Sequence, residues 1–100
     1  ADLYLVALCV AVVANPVQSA IDCSRAQTNT EKLLCSNSRL MMAEEHMAHA
    51  FREAIKRGAQ PKALMESQRI WIRDVRDVCV DVECMLRAHA ERTSELDNLP

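Results

Sequence analysis

The stretch that most constrains the fold is residues 68–86, which carry the only tryptophan and two of the five cysteines. If this stretch is helical, a set of mostly apolar side chains recurs at three- and four-residue intervals and therefore shares one face. The pattern predicts a helix that runs into a corner containing Cys79 and Cys84, with another helix directly after it. A tryptophan facing inward beside such a corner is typical of a small helical bundle. The predicted face consists of Leu64, Gln68, Trp71, Val75 and Val78.

The composition favours helices and argues against several classes of function. One glycine and three prolines in 100 residues are too few for a turn-rich sheet, and with only three aromatic residues the core must consist of aliphatic side chains and methionine. The sequence contains twelve Lys and Arg residues and fourteen Asp and Glu residues, and it has no run of basic residues. This balance argues against binding to nucleic acid or to an anionic membrane surface. The single glycine also excludes a glycine-rich phosphate loop.

The first 20 residues differ in character from the rest of the chain. Residues 3–14 are apolar without a break, Asn15-Pro16 would end any helix there, and small residues follow. This pattern is typical of a secretory signal peptide, here without the positively charged start, and it is shorter than the ~20 residues of a membrane-spanning helix. Cleavage after Ser19 or Ala20 would leave a single domain over residues 21–100. We expect that domain in the periplasm or outside the cell, with no stable insertion into a membrane.

Four cysteines follow the predicted signal peptide, and an even number in a small exported domain predicts two disulfides. A structural zinc site is the alternative, but no cysteine pair has the C-x₂-C spacing that zinc sites prefer. Three pairings of four cysteines are possible. We favour the two local ones because each closes around a predicted turn or short helix, and chain-entropy estimates give them about 3 and about 2 kcal/mol. The favoured pairs are Cys23–Cys35 and Cys79–Cys84.

Capping signals divide residues 21–100 into one short helix and three longer ones. Thr28 and Glu31 have the spacing of a capping box, Asn37 is a good N-cap, and Gly58 suits the position after a helix end. The prediction is an all-α, disulfide-stapled bundle whose three longer helices are antiparallel in up-and-down order. The four predicted helices begin after Thr28 and at about Arg39, Pro61 and Val82, and they end near Cys35, Arg57, Val78 and Asp97.

Several polar side chains fall on or beside the apolar faces and therefore need partners. Glu44 interrupts the face of the second helix, and burying a carboxylate alone costs several kcal/mol. We expect Glu44 to pair with Arg92 or, as the second choice, with Arg76; the alternative is that Glu44 turns outward and stays solvated. His89, central on the fourth helix, is interpreted as a core histidine with one satisfied nitrogen. The predicted structural core comprises Glu44, Gln68, Trp71, Arg76, His89 and Arg92.

No arrangement of residues predicts catalysis or a metal site. His46 and His49 lie three residues apart, with Glu45 and Glu53 near enough to complete a metal-binding set. The helical wheel places both histidines on the polar face, so a solvated face is the better interpretation. None of the serines lies in a G-x-S-x-G context. We therefore expect neither an enzyme nor a bound cofactor.

Two apolar residues are expected on the surface. Met41 and Met42 are adjacent and cannot both face inward, and Ile70 lies opposite Trp71 on its helix. Exposed Met42 and Ile70 would indicate a protein-binding surface. The alternative is that they are ordinary scattered apolar residues, which most soluble proteins have.

Motifs in a fixed order extend over residues 21–100. D-C-S-x-A at residues 22–26 precedes E-K-L-L-C at 31–35, Q-R-x-W-I-x-x-V-R-D-x-C covers 68–79, and C-x-x-x-A-x-x-x-R-x-x-x-L covers 84–96. This set, with its four cysteines, resembles the N-terminal domain family of LprI-type lysozyme inhibitors, small exported bacterial proteins. The chain departs from the family's leucine, aspartate and tyrosine at Ala43, Glu44 and Phe51, and from its fourth-helix pattern at Met85, His89 and Thr93.

The resemblance implies a bacterial envelope or secreted protein that acts by binding a protein partner, with a lysozyme as the best available candidate. The alternative is a periplasmic structural or interaction module whose partner is not a peptidoglycan hydrolase. The matched residues are of the kind that hold a fold together, so the resemblance assigns none of them to an inhibitory site.

Overall fold

Four α-helices make up most of residues 21–100, the part of the chain that the computed structural model describes. The predicted signal peptide lies outside the described residues. A short 3₁₀ turn, Cys23–Arg25, comes first. Helices α1 to α4 then cover Asn29–Cys35, Ser38–Lys56, Pro61–Trp71 and Val82–Asp97, and the described residues form no strand. The fold is the predicted small all-α bundle with two disulfides.

Side-chain caps determine where the helices begin. Thr28 Oγ1 accepts a hydrogen bond from the amide of Glu31 at 3.0 Å, which forms half of the predicted capping box at α1. The Glu31 carboxylate accepts from the amides of Gln27 at 2.9 Å and Thr28 at 3.1 Å, and these bonds lower the pKa of Glu31 below its ordinary value. Asn37 and Asp81 cap α2 and α4 in the same way. Each cap side chain satisfies an otherwise unpaired backbone amide. The positions of the capping residues in the sequence therefore show where these three helices begin.

The three longer helices run up, down and up, so α2 and α4 are parallel and α3 is antiparallel to both. Arg39 and Glu83 form an ion pair of 3.7 Å between the beginnings of α2 and α4. At the opposite end, Arg57 Nη2 donates to the carbonyl of Leu96 at 2.8 Å, which also accepts from the amide of Leu99 at 3.3 Å, and so joins the end of α2 to the end of α4. Gly58, with a φ of 111°, ends α2 and lets the chain reverse into α3.

The core lies between the three longer helices. Alanines at positions 50, 54 and 88 let α2 and α4 approach closely, and Trp71 fills the wider space toward α3. Within residues 21–100, no helix combines the length and apolar character needed to cross a bilayer. The buried apolar residues are Leu34, Leu40, Met47, Ala50, Ala54, Leu64, Trp71, Cys79, Met85, Ala88 and Leu96.

The third helix changes its geometry after Trp71. Ile72–Arg76 form a π-helical segment, in which the amide of Asp77 donates to the carbonyl of Ile72 at 2.9 Å. This bond joins residues five apart, whereas an α-helix joins residues four apart, so the segment holds one residue more per turn. Every side chain after it is therefore rotated relative to the face on which Trp71 lies.

This rotation contradicts the predicted apolar face of the third helix. Val75 and Val78, expected to face inward, are 41% and 67% exposed. Arg76 and Cys79 are buried in their place. The prediction of a single α-helix that carries its apolar face to Val78 is therefore wrong, because it assumed uninterrupted α-helical periodicity.

Both disulfides join the local pairs that the sequence favours. Cys23–Cys35 ties the 3₁₀ turn to the end of α1, with 5.7 Å between the Cα atoms. Cys79–Cys84 closes the corner between the π-helical segment and α4, with a Cα separation of 5.5 Å. The non-helical segment before α1 and the one before α4 are thus each held by a covalent bond.

Replacing Cys23 and Cys35 by alanine is expected to lower the free energy of unfolding by about 3 kcal/mol, because the cross-link no longer restricts the unfolded chain. Cys23 is exposed and Cys35 half-buried, so little packing is lost with the sulfur atoms. Urea titration of the parent and the Cys23→Ala/Cys35→Ala variant measures the difference. In a thiol reductant, parent and variant should have the same free energy of unfolding, since neither then has the Cys23–Cys35 bond. A difference that persists in the reductant would show that the bond is not its cause.

Candidate functional site

Glu44 and His89 form a buried pair between α2 and α4. Glu44 Oε1 lies 2.7 Å from His89 Nε2, and the two side chains are 2% and 0% exposed. His89 Nδ1 lies 2.8 Å from the carbonyl oxygen of Met85, which can only accept, so Nδ1 carries a hydrogen. Both ring nitrogens are therefore bonded, whereas the sequence predicted one. A second proton lies between Nε2 and the carboxyl oxygen and joins the two helices.

Trp71 connects α3 to this pair. Its ring meets the His89 ring edge to face, with 5.1 Å between the centroids and 89° between the planes. This arrangement places the positive edge of one ring against the electron-rich face of the other. One residue from each of the three longer helices thus contributes to a single cluster at the centre of the core.

The predicted pairing of Glu44 with Arg92 is wrong, and so is the second choice, Arg76. Within residues 21–100, no ion pair of 4.0 Å or less joins Glu44 to an arginine. His89 lies one turn before Arg92 on α4 and is level with Glu44 in the parallel packing of α2 and α4, so the imidazole takes the place expected for the guanidinium. The outward, solvated alternative for Glu44 is contradicted by its burial.

Arg92 instead connects α4 to α3. Its Nε donates to Gln68 Oε1 at 2.9 Å and its Nη2 to Ser67 Oγ at 2.6 Å, while Nη1 reaches Glu95 on the surface at 3.2 Å. Gln68 Nε2 in turn lies 3.5 Å from Met47 Sδ on α2. The half-buried amide of Gln68 thus has partners on both neighbouring helices, and the buried guanidinium is paired through Nε, Nη1 and Nη2.

Arg76 is buried by the π-helical segment, and its Nε donates to Asp77 Oδ1 at 3.0 Å. The side chain lies at the start of the corner rather than beside Glu44. Of the predicted core residues, Glu44, Trp71, Arg76, His89 and Arg92 are buried and Gln68 is half-buried.

The polar groups that could carry chemistry divide into a buried pair and an exposed set. A Glu–His pair can transfer protons, but Glu44 and His89 are shut off from solvent. His46 and His49 are exposed, as the helical wheel predicts, and Glu53 pairs with Lys56 at 3.1 Å. Within residues 21–100, no group of three or more His, Cys, Asp or Glu side chains is placed to hold a metal ion.

The most exposed apolar residues near one another in the sequence are three valines at the disulfide corner. We name Val75, Val78 and Val80 the valine corner; their exposed fractions are 41%, 67% and 87%. Val75 and Val78 border a groove of about 260 Å³ beside the Cys79–Cys84 bond, with Arg87 and Glu91 of α4 on its far side. The valine corner is the candidate functional site, since a surface of this kind is typical of protein contacts.

Acidic side chains outnumber basic ones around the valine corner. Residues 73–91 contain three arginines and five carboxylates, and one of the arginines, Arg76, is buried. Arg73 donates from Nε and Nη2 to the carboxylate of Asp74 at 2.7 and 3.0 Å, and these bonds lower the pKa of Asp74 below its ordinary value. Asp77 and Glu83 are also paired, with Arg76 at 3.0 Å and Arg39 at 3.7 Å, so three of the five carboxylates have an arginine partner.

The sequence missed this surface and found two other exposed residues. Met42 and Ile70 are exposed, as expected, but each lies on a different helix. Val78 and Val80 flank the buried Cys79, whose disulfide to Cys84 spans only five residues. A loop closed over so few residues cannot turn three successive apolar side chains inward. The short spacing of the two cysteines was therefore the sequence signal for the exposed valines.

Comparison of the chain with protein-family models, with characterised proteins and with solved structures finds no match.

Proposed function

We propose that this chain is an exported bacterial protein that binds a lysozyme or a related peptidoglycan hydrolase and inhibits it by covering its surface. The valine corner is the observation that carries the proposal. Fully burying a valine side chain stabilises by about 1.5–3 kcal/mol, so three valines left at the surface favour a partner that covers them. The burial of the Glu44–His89 pair also favours binding over turnover, because its proton-transferring atoms are closed to solvent.

The disulfides and the motif set support the cellular setting. Disulfides persist mainly in oxidising compartments such as the periplasm or the exterior of the cell. The ordered motifs of residues 22–35, 68–79 and 84–96 resemble those of LprI-type lysozyme inhibitors. A protein in that location meets the enzymes that attack the bacterial wall.

Lysozyme inhibition can be measured directly with protein exported by a bacterial host and purified from the periplasm. We expect micromolar protein to slow the clearing of a cell-wall suspension by at least one of the c-type, g-type and i-type lysozymes. The same protein after reduction and alkylation serves as the control and should not inhibit, because the fold depends on its disulfides. Unchanged clearing by all three lysozymes at micromolar excess would remove the proposal.

A periplasmic interaction module with a different partner is the second candidate. Met42 on α2 and Ile70 on α3 are exposed as well, and neither belongs to the valine corner. These additional apolar residues favour a protein with more than one contact surface. Affinity capture from an envelope extract separates the two candidates. Recovery of a defined partner that is not a hydrolase, together with inactive lysozyme assays, would favour the interaction module.

A further inference from the structure

We infer that the buried pair of Glu44 and His89 is a pH-sensitive device, which holds α2 and α4 together most firmly in mildly acidic surroundings and less firmly as the pH rises above neutral. The device belongs to the bundle itself and does not depend on the proposed function. Its basis is a difference in bound protons: the folded pair holds one shared proton, whereas the same two side chains in the unfolded chain hold a number that depends on the pH.

The geometry of the pair fixes the number of protons that it holds. Nδ1 of His89 donates its hydrogen to the carbonyl of Met85 at 2.8 Å, and Nε2 lies 2.7 Å from Glu44 Oε1. Without a proton between them, Nε2 and Oε1 would be two acceptors in contact, and the carboxylate charge would be buried alone. With a second proton on the carboxylate, the imidazolium would be a buried cation without a counter-ion. One shared proton is therefore the favoured state of the folded pair.

The groups around the pair leave this proton to its two members. α3 contributes the indole of Trp71, which does not titrate. α4 contributes the guanidinium of Arg92, one turn beyond the imidazole, and this group donates to side chains of α3 and stays charged throughout. The open groove along α2 and α4 reaches His89 and is bordered by two exposed titratable groups, His46 and Asp97. Solvent screens both of these groups, so the charge of the pair is set from within.

The unfolded chain binds fewer protons as the pH rises. A glutamate carboxyl binds a proton below about pH 4, and an imidazole binds its second proton below about pH 6.5. Above about pH 6.5 the unfolded side chains therefore hold no extra proton, while the folded pair still holds one. Stability falls with rising pH wherever the folded state holds more protons than the unfolded state. Each pH unit in this range should therefore raise the equilibrium constant of unfolding by up to about tenfold.

The loss above pH 6.5 is the specific sign of the pair. In acid, other carboxylates also lose stabilising hydrogen bonds, among them Glu31 and Asp74, whose pKa values these bonds lower. Their contribution is present above the ordinary pKa of a carboxyl and is lost as the pH falls, so it does not change between about pH 6.5 and pH 8. A fall in stability over that interval has to come from a group that holds its proton more firmly in the folded chain.

Urea titrations of the parent between pH 5.5 and pH 8 test the device. We expect the equilibrium constant of unfolding to rise by about 10- to 30-fold from pH 6.5 to pH 8. Glu44→Gln should remove this rise, because the glutamine amide can donate to Nε2 of a neutral imidazole and no shared proton is then needed. Its stability should instead fall below about pH 6.5, where only the unfolded histidine gains a proton. His46→Gln/His49→Gln is the control and should keep the profile of the parent, since both side chains are exposed.

Glu44→Leu/His89→Leu provides a second test if the glutamine variant does not fold. It carries no titratable group at the centre of the core, so its stability should be constant between pH 6.5 and pH 8. A parent whose stability is constant over this interval would overturn the device. So would a loss that persists unchanged in Glu44→Gln or in the double leucine variant, because another group would then be its source.

Discussion

Glu44→Leu and His89→Leu are each expected to lower the free energy of unfolding by about 3–5 kcal/mol, because each leaves the other member of a buried pair without its partner. The double variant should recover much of this loss, since two leucines can fill the space without any unpaired polar group. Urea titrations of the parent, both single variants and the double variant form a double-mutant cycle. Because the double variant should lose less than either single variant, we expect a coupling energy of at least about 3 kcal/mol for the pair.

The same cycle distinguishes the observed pair from the one that the sequence suggested. Glu44→Leu combined with Arg92→Leu should show little coupling, because Arg92 bonds to α3 instead. Glu95→Gln is a further control, since Glu95 is largely exposed and surface ion pairs contribute little. Additive effects for Glu44 with His89, alongside strong coupling for Glu44 with Arg92, would contradict the arrangement described here.

Trp71→Ala is expected to lower the free energy of unfolding by about 3–5 kcal/mol, because a large buried ring is removed and the cavity cannot fully close. The indole is also the contact between α3 and the imidazole of His89. A small domain has only about 5–15 kcal/mol to lose, so this change approaches the limit of folding. Because Trp71 is the only tryptophan, far-ultraviolet circular dichroism, not fluorescence, must follow the titration.

Trp71→Phe keeps the prediction testable if the alanine variant does not fold. Phenylalanine preserves an aromatic edge against His89 and removes less volume, so the loss should be clearly smaller than for alanine. Ile70→Ala is the control on the same helix, since Ile70 is exposed and should change the urea midpoint little. A loss for Ile70→Ala equal to that for Trp71→Phe would mean that the ring does not organise the core.

Local signals predicted the parts of the fold that local chemistry determines. The caps at Thr28, Asn37 and Asp81 and the glycine after α2 each satisfy backbone groups within a few residues, so sequence spacing locates them. The two disulfides also close short stretches of chain. These features need no knowledge of how the helices pack.

Packing between helices could not be predicted at the level of single partners. The sequence shows that Glu44 needs a partner, but His89 and Arg92 lie one turn apart on the same helix, and only the relative position of α2 and α4 selects between them. The π-helical segment has no sequence marker either, since Ile72–Arg76 contain neither glycine nor proline. Its geometry is set by the tertiary packing that buries Arg76 and Cys79.

The π-helical segment also determines what a change in chain length would do. A single extra residue accommodated within an otherwise regular helix produces this geometry, so deletion of one residue between Trp71 and Val75 would restore ordinary α-helical periodicity. Arg76 would then stand four residues after Trp71 and Cys79 seven, which are the spacings that share one face of an α-helix, so both would still face the core. The π-helical segment thus takes up one residue of chain length without changing which side chains the corner buries. A relative shorter by one residue in this segment is therefore expected to keep the bundle, the corner and the exposed valines.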